Sequence, residues 1–349
     1  MGLVITVSAT FNIHRVVLLL GATETIAPYA EAYAHYIFIA APFMICSFIM
    51  NNLLRFQGKA SFAMVGITVG GLLNIALDPL FIFTLDMGTA GAALATGLSQ
   101  FISFCILLWM CNHQESCISI SIRKFRPKLA IYREVLYGGI PSLGRQGIAS
   151  VATILMNFMC QPYGDAAIAA MSIVSRFMFF INSVIIGFGQ GFQPVCSYCF
   201  GAGLYDRVKK ACWFCIRVST IILLVLSVIS FPAARSIITL FRRNDPTVIE
   251  TGTLAFRLHL IPLPLQGAVI MGNMMPQSIG YGFRATLVST ARQGIFLIPL
   301  LTIMTYTIGL LGIQCAQPLA DIATFILSLF VIRGIFKEFP EDASSFAAQ

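Results

Sequence analysis

The sequence predicts an all-α integral membrane protein with about ten transmembrane helices in two lobes, and three observations lead to that fold class. The first is composition: 58% of the 349 residues are hydrophobic, 10% are charged, and the mean hydropathy is +0.86. A soluble domain carries about 25% charged residues, so this chain could not cover a water-facing surface. The second observation is the length of the apolar segments, and the third is an internal repeat.

Ten apolar segments follow one another along the chain. A transmembrane helix needs about 20 predominantly apolar residues. Lipid offers no hydrogen-bond partners to the backbone, so continuous apolar segments of this length must be helices. The predicted spans are Gly2–Leu20, Ala34–Leu53, Phe62–Phe83, Ala90–Cys111, Val135–Cys160, Ala167–Val195, Ala211–Phe231, Leu254–Met275, Ala285–Thr305 and Leu310–Ile332.

The loops between the segments carry positive charge on one side of the membrane. If the chain starts on the cytoplasmic side, thirteen basic residues lie in the inner loops and three lie in the outer loops. Cytoplasmic loops of membrane proteins carry an excess of Lys and Arg. We therefore expect a multi-pass protein of the plasma membrane, the inner membrane of a bacterium, with both ends of this chain in the cytoplasm. The three outer residues are Arg235, Arg242 and Arg243.

An internal repeat relates the front and back of the chain. The segment Ile49–Asn52 recurs as Ile270–Asn273 at an offset of 221, and Gly88–Gly91 recurs as Gly309–Gly312 at the same offset. Repeated halves are common in transporters. In this register the fifth and sixth spans have no partners in the front half, so we expect that two helices are missing before Met1.

The longest polar loop separates the two predicted lobes. It is basic and runs from Asn112 to Glu134. We therefore predict an incomplete N-terminal lobe of four helices, an interlobe loop, a C-terminal lobe of six helices and a cytoplasmic tail, at residues 1–112, 113–134, 135–336 and 337–349.

The net charge and the cysteines exclude two other classes of protein. The charge is +8, but the basic residues form no stripe interleaved with aromatic side chains, so we expect no nucleic-acid partner. The ten cysteines are scattered through apolar segments, which argues against a disulfide framework. We expect a monomer in the lipid bilayer whose partners are small molecules, with no cofactor.

Asp78 is the residue most indicative of function. A charge inside a span costs at least about 2.5–3.5 kcal/mol, so an intramembrane acid is a functional candidate. Asn74 lies one turn earlier on the same helix face. Pro79 cannot donate to the carbonyl of Ile75, which leaves a free acceptor beside that face. Asp78 and Thr96 lie at similar depths of roughly 10–12 Å below a shared outer turn, on antiparallel neighbouring helices.

The three side chains allow two interpretations. Their carboxylate, amide and hydroxyl oxygens suit Na⁺, or a carboxyl group that takes up and releases a proton. Alternatively, Asp78 is hydrogen-bonded to Asn74 and Thr96 only to hold two helices together.

Asp321 is the only acid in the predicted back-half spans, and Arg292 lies at similar depth on the preceding helix. One interpretation is a buried pair, because an unpaired partner would be costly. The other makes Asp321 a second proton or cation site.

Four more polar residues lie within the later spans. Arg145, Gln146 and Arg176 could line a cavity and contact a substrate, or could bond free backbone carbonyls. We interpret His259 as a packing or interfacial histidine, with a protonatable role as the alternative.

Two motifs resemble sites of other protein classes. Cys196 and Cys199 followed by Cys212 and Cys215 have the spacing of a zinc ribbon, but one pair ends a predicted span and the other opens the next. The glycines of 187–191 follow no strand and precede no lysine at the spacing of a phosphate loop. We expect neither a zinc site nor a nucleotide site.

Several blocks resemble the multidrug and toxic compound extrusion (MATE) transporter family. The most specific begins Leu54-Arg55-Phe56-Gln57-Gly58-Lys59 and continues through Asn74-Ile75-Ala76-Leu77-Asp78-Pro79-Leu80-Phe81-Ile82-Phe83. It extends through Gly88-Thr89-Ala90-Gly91, and further matches include Gly138-Gly139-Ile140-Pro141-Ser142 and Gly201-Ala202-Gly203. The likeness covers nearly the whole chain.

The resemblance implies a fold and a function. The family has twelve helices in two six-helix lobes around a central cavity, and this chain resembles helices three to twelve. In many members the absent first helix carries a functional Asp. Similar members use the residues matching Asn74, Asp78 and Thr96 to bind Na⁺ or a proton.

The function predicted on this basis is a cation-coupled efflux antiporter that exports organic, cationic compounds by alternating access. The first alternative is a lipid-linked saccharide flippase of the same superfamily, which would favour a basic cavity and is kept open by Arg145, Arg176 and Arg292. The second is a membrane-embedded enzyme. It would need paired acids, clustered histidines or an Asp-rich motif, and the sequence has none of these.

Overall fold

The computed structural model describes residues 6, 12–19, 27–113, 129–241 and 245–340. The chain forms two compact units, Met1–Arg126 and Pro127–Gln349. Every regular element in the described residues is a helix, so the predicted all-α fold class is confirmed.

The first unit is built around one helical hairpin. Helices α3 and α4 are its two arms, and α2 packs along α4. Its described core consists of small and apolar side chains from these three helices, including Leu54, Ala63 and Leu107. The helices are α1 (Ile13–Leu19), α2 (Ala27–Phe56), α3 (Ala60–Pro79), which continues as a π-helix over Leu80–Thr84, and α4 (Gly88–His113).

The second unit contains a larger apolar core. Side chains such as Ile185, Leu223, Phe256 and Met271 are fully buried where α6, α7, α8 and α9 pack together. The helices are α5 (Leu129–Cys160), α6 (Asp165–Gly201), α7 (Tyr205–Phe241), α8 (Pro246–Leu260), α9 (Gln266–Ser278), α10 (Gly282–Thr290), a π-helix over Ala291–Leu297, α11 (Ile298–Ile308) and α12 (Leu310–Glu338).

Seven helices in the described residues are long and apolar enough to cross a membrane, and an eighth is obtained if one bent pair counts as a span. These eight correspond to eight of the ten predicted spans. The other two, Gly2–Leu20 and Val135–Cys160, run through stretches in which residues or side chains lie outside the described part of the chain.

One predicted span differs in shape. The segment Leu254–Met275 was expected to be a single helix, but its two halves are bent by 42°. Pro262 and Pro264 lie between them. A proline in a helix removes a backbone hydrogen bond and clashes with the preceding turn, so the continuous apolar pattern conceals a broken helix.

The internal repeat has a structural counterpart. The Asn51 side-chain nitrogen donates to the carbonyl of Ala63 at 2.8 Å, and the Asn273 side-chain nitrogen donates to the carbonyl of Ala285 at 3.0 Å. Each bond joins two consecutive helices across the loop between them. The two bonds support the repeat, but they pair Asn273 with Asn51 and not with Asn52, as the predicted register had it. Asn52 donates within its own helix, to Phe48.

A second repeated contact predicts a stability effect. A Cβ atom at Gly91 would lie 2.7 Å from the carbonyl oxygen of Phe81, and one at Gly312 would clash with the carbonyl oxygen of Met304. We expect Gly312→Ala to destabilise the protein by about 1–3 kcal/mol, because backbone atoms cannot move aside easily. Melting of the purified protein in detergent measures this effect. Gly334→Ala on the same helix is the control, because its Cβ would meet nothing within 4 Å. Equal melting temperatures for the two variants would contradict the prediction.

Candidate functional site

Asn74, Asp78 and Thr96 meet inside the first unit, and we call them the triad. The Asn74 side-chain nitrogen donates to Asp78 Oδ1 at 3.2 Å and to Thr96 Oγ1 at 3.4 Å. The Thr96 hydroxyl donates to the carbonyl of Ala92 at 3.0 Å. All three side chains are half-buried. The predicted convergence of these residues is therefore present in the structure.

The backbone beside the triad is irregular. Pro79 has no N–H for the carbonyl of Ile75, and the amide of Leu80 donates to Leu77, three residues back. A π-helix begins at Leu80 and ends at Thr84. Short π-helical turns within helices are frequent at functional sites, because they widen the turn and redirect side chains. The triad therefore lies where α3 departs from regular hydrogen bonding.

Few hydrogen bonds and no ion pair within the described residues offset the charge of the Asp78 carboxylate. Its two oxygens offer about four acceptor positions, and among the described residues one of these positions is filled, by the neutral amide of Asn74. In the described part of the chain no Lys, Arg or His forms an ion pair with Asp78. A carboxylate within a span that has no counter-charge is costly, so it is a candidate for binding an ion.

The Asn74 amide can serve either form of Asp78. As placed, its nitrogen faces both Asp78 and Thr96, an arrangement that stabilises an ionised carboxylate. The amide can present either its nitrogen or its oxygen to these neighbours. A half-turn of the amide would bring oxygens from all three triad residues together, which suits Na⁺, a cation that binds oxygen ligands.

Asp321 in the second unit has the opposite environment. Its carboxylate accepts from Arg292 Nε at 2.7 Å and from Gln317 Nε2 at 3.0 Å through Oδ1, and from Gln266 Nε2 at 2.7 Å through Oδ2. The Asp321 side chain is 2% exposed and that of Arg292 is 23% exposed. Asp321 is thus a buried carboxylate that accepts from three donors, one of them a cation.

The sequence interpretation missed two members of this network. Gln317 precedes Asp321 by four residues, so helical spacing alone could have found it. Gln266 follows the proline-containing break between α8 and α9, and no periodicity indicates which way a residue after such a break will face. The Gln266 side chain is 1% exposed, and its Oε1 has no hydrogen-bond partner.

The remaining candidates belong to the second unit. His259 is 6% exposed, and its Nδ1 lies 2.8 Å from the carbonyl of Ala255, so it is a buried, hydrogen-bonded histidine. Arg176 and Gln146 are exposed on α6 and α5. The side chain of Arg145 lies outside the described residues.

The paired cysteines are buried where α6 and α7 pack. Cys196 and Cys212 have no exposed surface, and Cys199 and Cys215 are each 8% exposed. In the described ranges no group of three or more His, Cys, Asp or Glu side chains has the arrangement of a metal site.

The comparisons with known proteins decide the family. The MatE family model matches residues 1–80 and 141–314, which are well over half of the chain. The chain belongs to the MatE family. This confirms the sequence-based assignment, and membership of the MatE family makes the chain a membrane transporter and not an enzyme.

The relatives within the MatE family match most of the chain. The multidrug export protein MepA of Staphylococcus saprophyticus is 27% identical over 332 residues, which cover 95% of this chain and 73% of the relative. MepA of Staphylococcus haemolyticus is 27% identical over 345 residues, which cover 99% of this chain and 76% of the relative.

A solved structure confirms the fold. The outward-facing conformation of a multidrug resistance MATE family transporter of the MOP superfamily superposes with a TM-score of 0.90 at 23% identity. The match covers 97% of this chain and 76% of that chain.

Proposed function

We propose that the protein is a cation-coupled multidrug efflux antiporter in which Na⁺ or H⁺ binds at Asp78. The observation that carries the proposal is the contrast between Asp78 and Asp321, two acids within the described spans. Asp78 receives one neutral hydrogen bond, whereas Asp321 receives three bonds and a cationic partner. Asp78 therefore has more unused acceptor capacity for an incoming ion than Asp321 has. The relatives are named multidrug export proteins, which supports organic compounds as the exported class. We propose cationic compounds within that class.

Each member of the triad has a role in this mechanism. Asp78 supplies the charge that binds the ion, Asn74 adjusts its amide to the occupied or empty state, and the Thr96 hydroxyl adds an oxygen from the neighbouring helix. An ion can shift a conformational equilibrium only by its differential affinity for the two states. The irregular backbone that follows Pro79 gives the carboxylate a place where its surroundings can change. Alternating access then exchanges the ion for substrate.

Transport in proteoliposomes tests the function. The purified 349-residue chain is reconstituted, ethidium is supplied on one side, and an inward Na⁺ gradient or an inward proton gradient is imposed separately. We expect one of the two inward ion gradients to accelerate movement of the dye in the opposite direction to the ion. Dissipating that gradient should abolish the acceleration. Dye movement equal to that in empty liposomes under both gradients would overturn the proposal.

The chain is a multi-pass membrane protein, and we propose the plasma membrane as its location, with the first turns of α7 at Lys210 in the cytoplasm and the other end of α7 at Arg235 outside. The bias of thirteen inner against three outer basic residues supports this orientation. We expect a single cysteine at Arg235, on a cysteine-free background, to react with a membrane-impermeant maleimide in intact cells. A cysteine at Lys210 should react only after permeabilisation. The reverse pattern would show that the orientation is inverted.

We further propose that the protein acts as a monomer.

A further inference from the structure

We propose that Arg292 is a binding site for the carboxylate of a small organic ligand. The proposal rests on the transport function proposed above and deepens it, because it adds acidic and zwitterionic compounds to the substrate class. The observation behind it is that only one side of the guanidinium is bound by the protein.

The inner side of Arg292 is held in a fixed orientation. Its Nε donates to Asp321 Oδ1 at 2.7 Å, and Asp321 is itself fixed by Gln266 and Gln317. With three donors on a carboxylate that is 2% exposed, the network leaves no space for a ligand on the Asp321 side. The orientation of the guanidinium plane is therefore set before any ligand arrives, which lowers the entropy cost of binding.

The outer side of Arg292 is free. Within the described ranges its Nη1 and Nη2 have no hydrogen-bond partner in the protein, and the side chain is 23% exposed. A guanidinium within a span cannot leave its N–H groups to hydrocarbon, because each unsatisfied polar group costs free energy. These groups must face water or a polar ligand, and their planar fork matches a carboxylate bidentately.

The surrounding helices keep this fork in place. Arg292 lies in the π-helix Ala291–Leu297, where Gly294 packs so tightly against Ile148 of α5 that an added Cβ would approach it to 3.0 Å. Arg292 is bound to α12 through Asp321. The π-helix is thus fixed on two sides, and the Arg292 side chain cannot easily turn away.

The arrangement favours an acidic group over a cation. A ligand that reaches this point meets N–H donors, because both Asp321 oxygens already accept hydrogen bonds and are buried. Charge-assisted bonds from Arg to carboxylate are among the strongest in proteins. Asp321 serves as a resident counter-ion that makes the empty site tolerable in the membrane.

Binding of two matched dyes tests the site. The probes are a rhodamine that carries a free carboxylate and the methyl ester of the same dye. Each is added to the purified full chain in detergent, and its binding is followed by fluorescence anisotropy. We expect Arg292→Gln to weaken binding of the free acid at least about tenfold, as expected for loss of a charge-assisted bond, and to change binding of the ester less than about twofold.

Two further variants separate recognition from folding. In Arg292→Gln/Asp321→Asn both charges are removed together, so no unpaired charge remains buried, and the same selective loss of the free acid is expected. Asp321→Asn alone keeps the guanidinium and should bind the free acid at least as tightly as the parent. Arg257→Gln is the control, because Arg257 lies in the same unit with its guanidinium over the ring of Phe231, at 5.4 Å from the centroid.

The outcomes distinguish this proposal from the one before it. No ion gradient is present in the binding assay, so a failure of coupling at Asp78 would leave the result unchanged. Equal weakening of both dyes by Arg292→Gln and by the double variant would overturn the carboxylate site. So would unchanged binding in both variants, or an absence of free-acid binding to the parent chain.

Discussion

Replacement of Asp78 by Asn is expected to reduce gradient-driven ethidium export at least about tenfold, to the level of uncoupled leakage. The amide keeps the volume of the side chain and one acceptor oxygen, but it can neither carry the negative charge nor take up a proton. Because the coupling ion then has no differential affinity for the two states, its gradient cannot drive the exchange. The measurement is dye movement in proteoliposomes with matched amounts of reconstituted protein.

The surrounding residues supply graded comparisons and a control. Thr96→Val and Asn74→Ala each remove one polar partner and should weaken export without abolishing it. Asp206→Asn is the matched acid-to-amide control, because Asp206 lies exposed in the first turn of α7. Export by Asp78→Asn at the parent rate under both the Na⁺ and the proton gradient would make Asp78 a structural residue and remove the proposed mechanism.

Replacement of Asp321 by Asn is expected to destabilise the protein by about 3 kcal/mol, because removing one partner leaves the other charge partly buried and uncompensated. Within the described residues the one hydrogen bond of Arg292 is donated to Asp321 Oδ1, and in this variant the acceptor would no longer carry a charge. Adding Arg292→Gln to this variant should recover part of the loss, since two neutral polar groups replace one unpaired charge. Thermal melting in detergent measures both effects.

The double variant shows whether Asp321 and Arg292 are energetically coupled. Residues in contact show interaction energies that independent residues do not. If the losses of Asp321→Asn and Arg292→Gln simply add, the two side chains are not coupled, and the buried pair contributes nothing specific to stability. Melting of Asp321→Asn at the parent temperature would contradict the expected destabilisation directly.

Sequence reasoning reached the triad because its geometry depends on two local quantities. Asn74 and Asp78 are one helical turn apart, and Asp78 and Thr96 are almost equally far from one tight turn. Both distances follow from the helix repeat. The Asp321–Arg292 contact was accessible for the same reason, because it too joins adjacent arms of a hairpin.

Other features depend on tertiary structure and were out of reach. Gln266 reaches Asp321 across 55 positions and from beyond a helix break, so no local spacing reports it. The π-helices at Leu80–Thr84 and Ala291–Leu297 lie within continuous apolar sequence that looks like ordinary helix. The one-residue error in the repeat register has the same origin, because equivalence was set by residue identity and not by the carbonyl that each Asn binds.

The unequal environments of the two acids have a consequence for the energetics of exchange. With a single uncompensated carboxylate deep in the described spans, we expect one monovalent ion to enter for each organic cation that leaves. Such an exchange moves no net charge across the membrane, so the voltage, worth about 2.3 kcal/mol per charge per 100 mV, contributes nothing to it. The concentration ratio of the ion alone then limits how strongly a cationic drug can be expelled. A valinomycin-imposed potential should leave the export rate of ethidium unchanged, and a clear response would indicate a second ion.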